Sequence, residues 1–123
     1  MKTATKYGIK TVVVYSSIDK EVRHVKLADE SFLISPSPPP AKSYLNRQKI
    51  IDVVLLEAKV QAIHPGYRFL SEDAKFASLC QQKEIIFIGP PPQAISVMGD
   101  KREAKQLIEK AGVPVVPGYQ DTF

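Results

Sequence analysis

The sequence predicts an α/β fold in which a parallel β-sheet carries helices on both faces. Short apolar runs rich in β-branched residues alternate with longer segments of helical periodicity. The segments between successive strands are long enough for the crossovers that parallel pairing requires. The 123 residues suit one domain, and 44% apolar with 24% charged residues are typical of a globular protein.

The first part of the chain predicts the end of a helix followed by two strands. A helix is expected to end near Lys6, with Gly8 as the residue that follows its C-cap. Residues 10–15 (KTVVVY) form a buried-strand candidate, and residues 31–34 (SFLI) form a second short strand. The prolines in residues 36–40 predict an extended surface connector, because proline disrupts helices.

The middle of the chain predicts a helix, a strand and a turn. Asn46 is a candidate N-cap. The helix behind it is expected to present one apolar face, made by Ile50, Val53, Val54 and Leu56. Residues 61–64 (QAIH) predict a strand that leads into a turn at residues 65–68 (PGYR).

The last part predicts three helices and one buried strand. Ser71 is the expected N-cap of a helix with apolar residues at helical spacing, namely Phe76, Leu79 and Cys80. Residues 85–88 (IIFI) are the clearest strand candidate. Residues 92–98 and 101–111 predict two further helices, the second ended by Gly112.

Composition argues against nucleic-acid and membrane partners. The formal net charge is +4, but the basic residues are scattered and form no dense run. No apolar stretch approaches the roughly 20 residues needed to span a bilayer, and the sequence MKTATK at the N-terminus does not resemble a signal peptide. Cys80 is the only cysteine, which excludes an intrachain disulfide and fits a reducing compartment.

Candidate site residues lie where the predicted strands end. In a parallel sheet, ligands bind beyond the carboxyl ends of the strands, so the turns after Tyr15, His64 and Ile88 are expected on one rim. A lone histidine such as His64 is more often structural than catalytic. The turn containing Gly66 and Tyr67 is equally well explained as a plain loop or as a binding element. Glu72 is either functional or simply a carboxylate favoured by a helix dipole.

The sequence Gly99-Asp100-Lys101 precedes the last helix, with Asp100 as the expected N-cap. A lysine beside free backbone N–H groups at a helix start suits a phosphate, although an ordinary capped helix would look the same. The spacing is not that of a P-loop, and no G-x-G-x-x-G is present. No Cys/His cluster with metal-ligand spacing occurs, so no metal site is predicted.

Taken together, the motifs resemble the biotin carboxylase family in order and spacing. They are residues 24–30 (HVKLADE), 43–46 (SYLN), 64–67 (HPGY), 69–72 (FLSE), 87–90 (FIGP), 98–101 (MGDK) and 111–118 (AGVPVVPG). The resemblance covers essentially the whole chain. Within the family, residues 89–92 (GPPP) and 1–4 (MKTA) look most like the biotin-containing (alpha) subunit of methylcrotonoyl-CoA carboxylase. Related carboxylases share the other motifs, so the acyl-CoA substrate stays open.

The resemblance implies a Rossmann-like, pre-ATP-grasp domain over residues 1–113, with residues 114–123 opening the ATP-grasp region. It implies a ligase that uses ATP and Mg²⁺ to activate bicarbonate and then carboxylates biotin. Lys101 is expected to contact nucleotide phosphates, and His64, Gly66, Tyr67 and Glu72 to face the biotin pocket. The implied partners are the remaining carboxylase domains or subunits, in the mitochondrial matrix of a eukaryote or otherwise in the cytoplasm.

The sequence also departs from the family pattern. The family's first strand and its turn Asn-Arg-Gly-Glu-Ile-Ala are not found, which predicts a gap between the strands at residues 10–15 and 61–64. Unpaired buried groups cost about 1–3 kcal/mol each, so the isolated chain is expected to be marginally stable or prone to aggregation. Arg68 stands where the family has glycine, which is costly if the position needs positive φ and harmless if the side chain points to solvent.

The family's bicarbonate and general-base groups are expected beyond Phe123. The sequence therefore predicts a carboxylase fragment that is inactive alone. Two alternatives remain open: a non-catalytic module that docks on carboxylase subunits, and a non-functional partial gene product.

Overall fold

A computed structural model describes residues 1–36 and 43–117 of the chain. The predicted proline-rich connector, apart from Pro36, lies outside the described residues. Within the described ranges, no helix is both long enough and apolar enough to cross a membrane.

The structure contains helices and short strands in alternation over most of its length. The α-helices are α1 (Lys2–Lys6), α2 (Arg23–Leu27), α3 (Arg47–Asp52), α4 (Ala74–Gln82), α5 (Pro92–Gly99) and α6 (Lys101–Lys110). The strands are β1 (Val12–Ser16), β2 (Glu30–Ser35), β3 (Ala62–Ile63) and β4 (Ile86–Phe87). Short 3₁₀ segments span Ser17–Asp19 and Phe69–Glu72, and a π-helical segment spans Val53–Ala58.

The strands form two parallel pairs. β1 pairs with β2, with Val12 opposite Glu30, and β3 pairs with β4, with Ala62 opposite Ile86. No ladder joins the two pairs within the described ranges. The predicted parallel pairing is thus confirmed, while the break between the pairs agrees with the expected gap in the sheet.

Both strand pairs contribute to one hydrophobic core. β2 contributes the fully buried Ile34, and Phe87 of β4 packs at the margin of the same cluster. The remaining members come from the middle helices and the segments that flank α4: Ile50, Ile51, Val53, Val54, Leu70, Phe76, Cys80 and Ile85. Phe76 and Phe87 meet edge to face with centroids 6.1 Å apart. A shared core therefore holds the two pairs in one domain without a continuous ladder.

The π-helical segment explains one wrong sequence prediction. Val53 and Val54 are buried as expected, but Leu56 is 75% exposed. The i→i+5 hydrogen bonding of a π-helix puts more residues in each turn than an α-helix does. Leu56 is therefore rotated away from the apolar face on which the α-helical period places it.

The cap of α4 is also corrected. Asp73, not Ser71, caps this helix, because the Asp73 carboxylate accepts the Phe76 N–H at 2.9 Å. Ser71 lies inside the preceding 3₁₀ segment. The predicted caps Asn46 and Asp100 are confirmed, since each side chain accepts first-turn N–H groups.

Arg68 has φ −132° and ψ −176°, which is extended backbone that any residue adopts. The arginine therefore causes no left-handed strain at this position. The neighbouring Phe69 has the positive φ instead, at 53°.

Candidate functional site

The structure connects the end of β1 to the chain that follows β3. β3 and β4 run parallel, so the turns after His64 and Ile88 leave the same edge of their pair. Tyr44 bonds to Ser16 at the end of β1 and stacks on Phe69, which follows the turn after His64. These contacts support the expected common rim.

The central part of this rim is residues 64–72, named here the rim turn. Gly66 has φ +73°, a left-handed conformation that glycine adopts without a steric penalty. The Gly66 N–H donates to Nδ1 of His64 at 3.1 Å and closes the turn. The side chains of His64, Tyr67 and Glu72 are exposed, with Tyr67 exposed by 87%. The turn therefore presents a histidine, a tyrosine and a carboxylate to whatever occupies the rim.

Tyr44 anchors the rim turn to β1. Its hydroxyl donates to the Asp19 carboxylate and accepts the Ser16 N–H at 3.1 Å. Ser16 is fully buried, and its hydroxyl also donates to Asp19 at 3.1 Å. Burial, together with the bond to Asp19, raises the pKa of Tyr44 above its ordinary value, so the hydroxyl keeps its proton. The Tyr44 ring stacks on Phe69 with centroids 5.4 Å apart.

An ion pair holds the far end of the rim turn. Arg47, the first residue of α3, donates through Nε and Nη2 to Oδ2 of Asp73, the former at 2.9 Å. Burial alone would raise the pKa of Asp73, but the bonds from Arg47 and the Phe76 N–H together hold it below its ordinary value. Asp73 thus stays ionised and serves both as helix cap and as partner of Arg47.

The start of α6 combines an occupied N-cap with an exposed lysine. Oδ1 of Asp100 accepts the N–H groups of Arg102 at 2.9 Å and Glu103 at 3.2 Å. The Glu103 and Arg102 N–H groups lower the pKa of Asp100, which keeps the cap ionised. Two first-turn N–H groups are therefore occupied by the cap. The Lys101 side chain beside this cap is exposed.

The described residues contain no cluster of three or more histidine, cysteine, aspartate or glutamate side chains that could hold a metal ion. Cys80 is fully buried, and burial raises the pKa of its thiol. Cys80 is therefore a core residue rather than a nucleophile.

Comparison with known families identifies the family to which this chain belongs. Residues 1–95 match the family model described as biotin carboxylase, N-terminal domain. The chain belongs to this family. The match spans α1 to β4 and includes the rim turn, so the predicted family is confirmed.

Relatives of known name agree with the family model. The chain is 55% identical over 119 residues to the mitochondrial methylcrotonoyl-CoA carboxylase subunit alpha of Dictyostelium discoideum, covering 97% of the chain and 17% of that protein. It is 49% identical over 123 residues to biotin carboxylase 2 of Bacillus subtilis, covering the whole chain and 27% of that protein. The chain thus spans about a sixth to a quarter of the length of these relatives.

A solved structure confirms the α/β fold. The biotin carboxylase domain of Hydrogenobacter thermophilus 2-oxoglutarate carboxylase matches with a TM-score of 0.86 at 45% identity, over 97% of this chain and 26% of that one. That domain was crystallised as a dimer with MgADP, ADP and bicarbonate.

The structure places the predicted site residues in two separate elements. His64, Gly66, Tyr67 and Glu72 share the rim turn, whereas Lys101 begins α6. Tyr44, Arg47 and Asp73 were given no role from the sequence, although Tyr44 lies in one of the family-like motifs. The contacts that join Tyr44 to Asp19 and Phe69, and Arg47 to Asp73, span 25 or 26 residues of sequence, which local patterns do not reveal.

Proposed function

We propose that this chain supplies the opening α/β layer of the biotin carboxylase component of an acyl-CoA carboxylase. In such an enzyme, bound ATP and Mg²⁺ supply the activation of bicarbonate, and biotin accepts the carboxyl group. The observation that carries the proposal is the rim turn, whose exposed His64, Tyr67 and Glu72 lie at the strand ends of a family member.

Two contributions follow for the residues of this chain. The rim turn would border the biotin pocket, with the exposed Gly66 allowing a ligand to approach the backbone closely. The Lys101 ammonium would offset negative charge on the nucleotide phosphates. Mg²⁺ prefers carboxylate and phosphate oxygens, and the described residues contain no carboxylate cluster for it. The metal would therefore be held mainly by groups outside this part of the chain.

The isolated chain is expected to be catalytically inactive. Incubation with ATP, Mg²⁺, bicarbonate and free biotin should release no more phosphate than a sample without the chain, because the chain spans only 17–27% of these relatives and its described residues contain no cluster of metal-ligating side chains. The measurement is bicarbonate-dependent ATP hydrolysis by the purified chain. Turnover that depends on both the chain and bicarbonate would show that a complete site is present and contradict this expectation.

A second candidate is a non-catalytic module that docks on carboxylase subunits. Leu33, Ile86 and Ile88 are 49%, 64% and 50% exposed on or beside the strands, although parallel strands are usually covered on both faces. Such apolar exposure suits a docking face and also favours aggregation of the isolated chain. Co-purification with an intact carboxylase would favour docking, and its absence would favour the first candidate. A parent enzyme in a eukaryote would act in the mitochondrial matrix; the Dictyostelium relative is named as a mitochondrial protein.

A further inference from the structure

The rim turn depends on contacts from elsewhere in the chain for its shape. Phe69 has φ +53°, a left-handed conformation that a bulky residue adopts only when its surroundings impose it. The Phe69 side chain is 51% exposed, so deep burial does not impose this conformation. Its stacked partner is Tyr44, whose ring lies 26° from parallel. The contact with Tyr44 is thus a candidate source of the restraint.

Tyr44 is itself firmly held. Its hydroxyl lies between the Asp19 carboxylate and the Ser16 N–H. Ser16 is the buried last residue of β1, and Asp19 lies in the 3₁₀ segment that directly follows it. A ring anchored in this way has little freedom to turn. Through the Tyr44 ring, Phe69 is therefore linked to the end of β1.

Arg47 provides a second attachment three residues further along. Its guanidinium holds Asp73, which directly follows the rim turn and begins α4 as its cap. Two residues of one segment thus hold the end of the rim turn and the start of α4: Tyr44 contacts Phe69, and Arg47 contacts Asp73. Leu70 between them is 5% exposed and points into the core, whereas Glu72 remains exposed.

We propose that Tyr44 and Arg47 are positioning residues that together fix the conformation of the rim turn. This pair is named here the clasp. The proposal rests on the proposed function only for the claim that the rim turn borders biotin. A preorganised turn binds a ligand more tightly, because the conformational entropy of the turn is already lost during folding rather than on binding. The clasp would therefore act on biotin through the rim turn, without touching the ligand.

Trypsin cleavage after Arg68 measures opening of the rim turn in the full chain. Arg68 lies inside the turn and is exposed, but a protease needs several residues of locally unfolded backbone around the bond. Cleavage after Arg102, on the exposed side of α6, serves as a reference site in the same molecule. Mass spectrometry separates the two products, and the protein concentration can be kept low enough to avoid aggregation.

The expected result is selective opening of the rim turn. Tyr44→Leu should speed cleavage after Arg68 by about three- to tenfold relative to Arg102, as loss of a stacked aromatic pair implies. Tyr44→Phe keeps the ring but loses its anchor, so a smaller increase of about two- to threefold is expected. Arg47→Ala should also speed cleavage, and Arg47→Lys should restore part of the protection because one charged donor remains. Leu45→Ala, at a neighbouring position that is 40% exposed, is the matched control and should change neither site.

The outcomes separate this inference from the proposed function. Equal acceleration at Arg68 and Arg102 would show that Tyr44 and Arg47 only stabilise the whole fold, and unchanged cleavage after Arg68 would show that they do not hold the turn. Either result overturns the clasp. Biotin is added to the wild-type chain in a separate arm. Slower cleavage after Arg68 there supports the biotin-facing role, while unchanged cleavage counts against that role and leaves the clasp to be decided by the variants.

Discussion

Replacing Phe76 with alanine is expected to unfold the chain. Phe76 is 1% exposed, belongs to the core cluster with Ile34 and Ile51, and meets Phe87 edge to face. Removing a buried phenylalanine costs about 3–5 kcal/mol. The total stability of a small domain is about 5–15 kcal/mol, and the exposed apolar strand residues place this chain at the low end. The loss should therefore consume most of the stability.

The measurement for Phe76→Ala is urea unfolding followed by far-ultraviolet circular dichroism. The variant is expected to show little or no folded baseline at 25 °C. The matched control is Leu56→Ala, because Leu56 is 75% exposed on the π-helical segment. The free energy of unfolding of Leu56→Ala should stay within about 0.5 kcal/mol of the wild-type value. If Leu56→Ala destabilised the chain as much as Phe76→Ala, the π-helical register and the assignment of the core would both be wrong.

Replacing Gly89 with alanine is expected to destabilise the chain by about 1–3 kcal/mol, the usual cost of overpacking. A Cβ at this position would lie 2.6 Å from Cε1 and 3.2 Å from Cδ1 of Phe87. The Phe87 ring packs against Phe76, so it cannot turn aside without disturbing the core. Position 89 thus requires glycine because the Phe87 ring approaches it closely, not because its backbone is left-handed.

The control for Gly89→Ala is Gly99→Ala. A Cβ built on Gly99, which ends α5, would meet no heavy atom within 4 Å apart from its chain neighbours and the backbone of its own helix. Because alanine restricts the unfolded chain, this change should be neutral or stabilising by about 0.4–1 kcal/mol. Urea midpoints of the two variants give the comparison. A neutral Gly89→Ala would mean that the Phe87 ring is free to move and that the core does not reach the rim.

Local signals in the sequence were sufficient for much of the fold. Asn46 and Asp100 were predicted as caps because each precedes a run of helical periodicity, and the structure confirms both. The cap of α4 was assigned wrongly because Ser71 and Asp73 both satisfy the local pattern. Asp73 is the cap in the structure, where it also pairs with Arg47, a contact across 26 residues that the local pattern cannot show. Leu56 was placed wrongly because a π-helical segment changes the period on which the prediction relied.

The sequence predicts the exposed residues of the candidate site but not the contacts that hold them in place. His64, Gly66, Tyr67 and Glu72 lie together because they share one turn, which the sequence already indicates. Tyr44, Asp19 and Phe69 meet only after folding, since they come from three separate segments. Whether Arg68 strains the backbone depends on its φ, which the sequence does not reveal; its φ of −132° is extended and causes no left-handed strain.

The central claim is that this chain can serve as the opening layer of a biotin carboxylase. The direct test is to graft its 123 residues in place of the matched segment of Bacillus subtilis biotin carboxylase 2, to which it is 49% identical. Bicarbonate-dependent ATP hydrolysis with free biotin is then measured, with Arg68 retained and with Arg68→Gly as the residue typical of the family. We predict clear activity in at least the version with Arg68→Gly. Lys101→Gln in the active graft should raise the KM for ATP about tenfold or more, as expected for loss of a hydrogen bond to a charged group. A graft that folds as stably as the parent enzyme but hydrolyses no ATP in either version would contradict the claim.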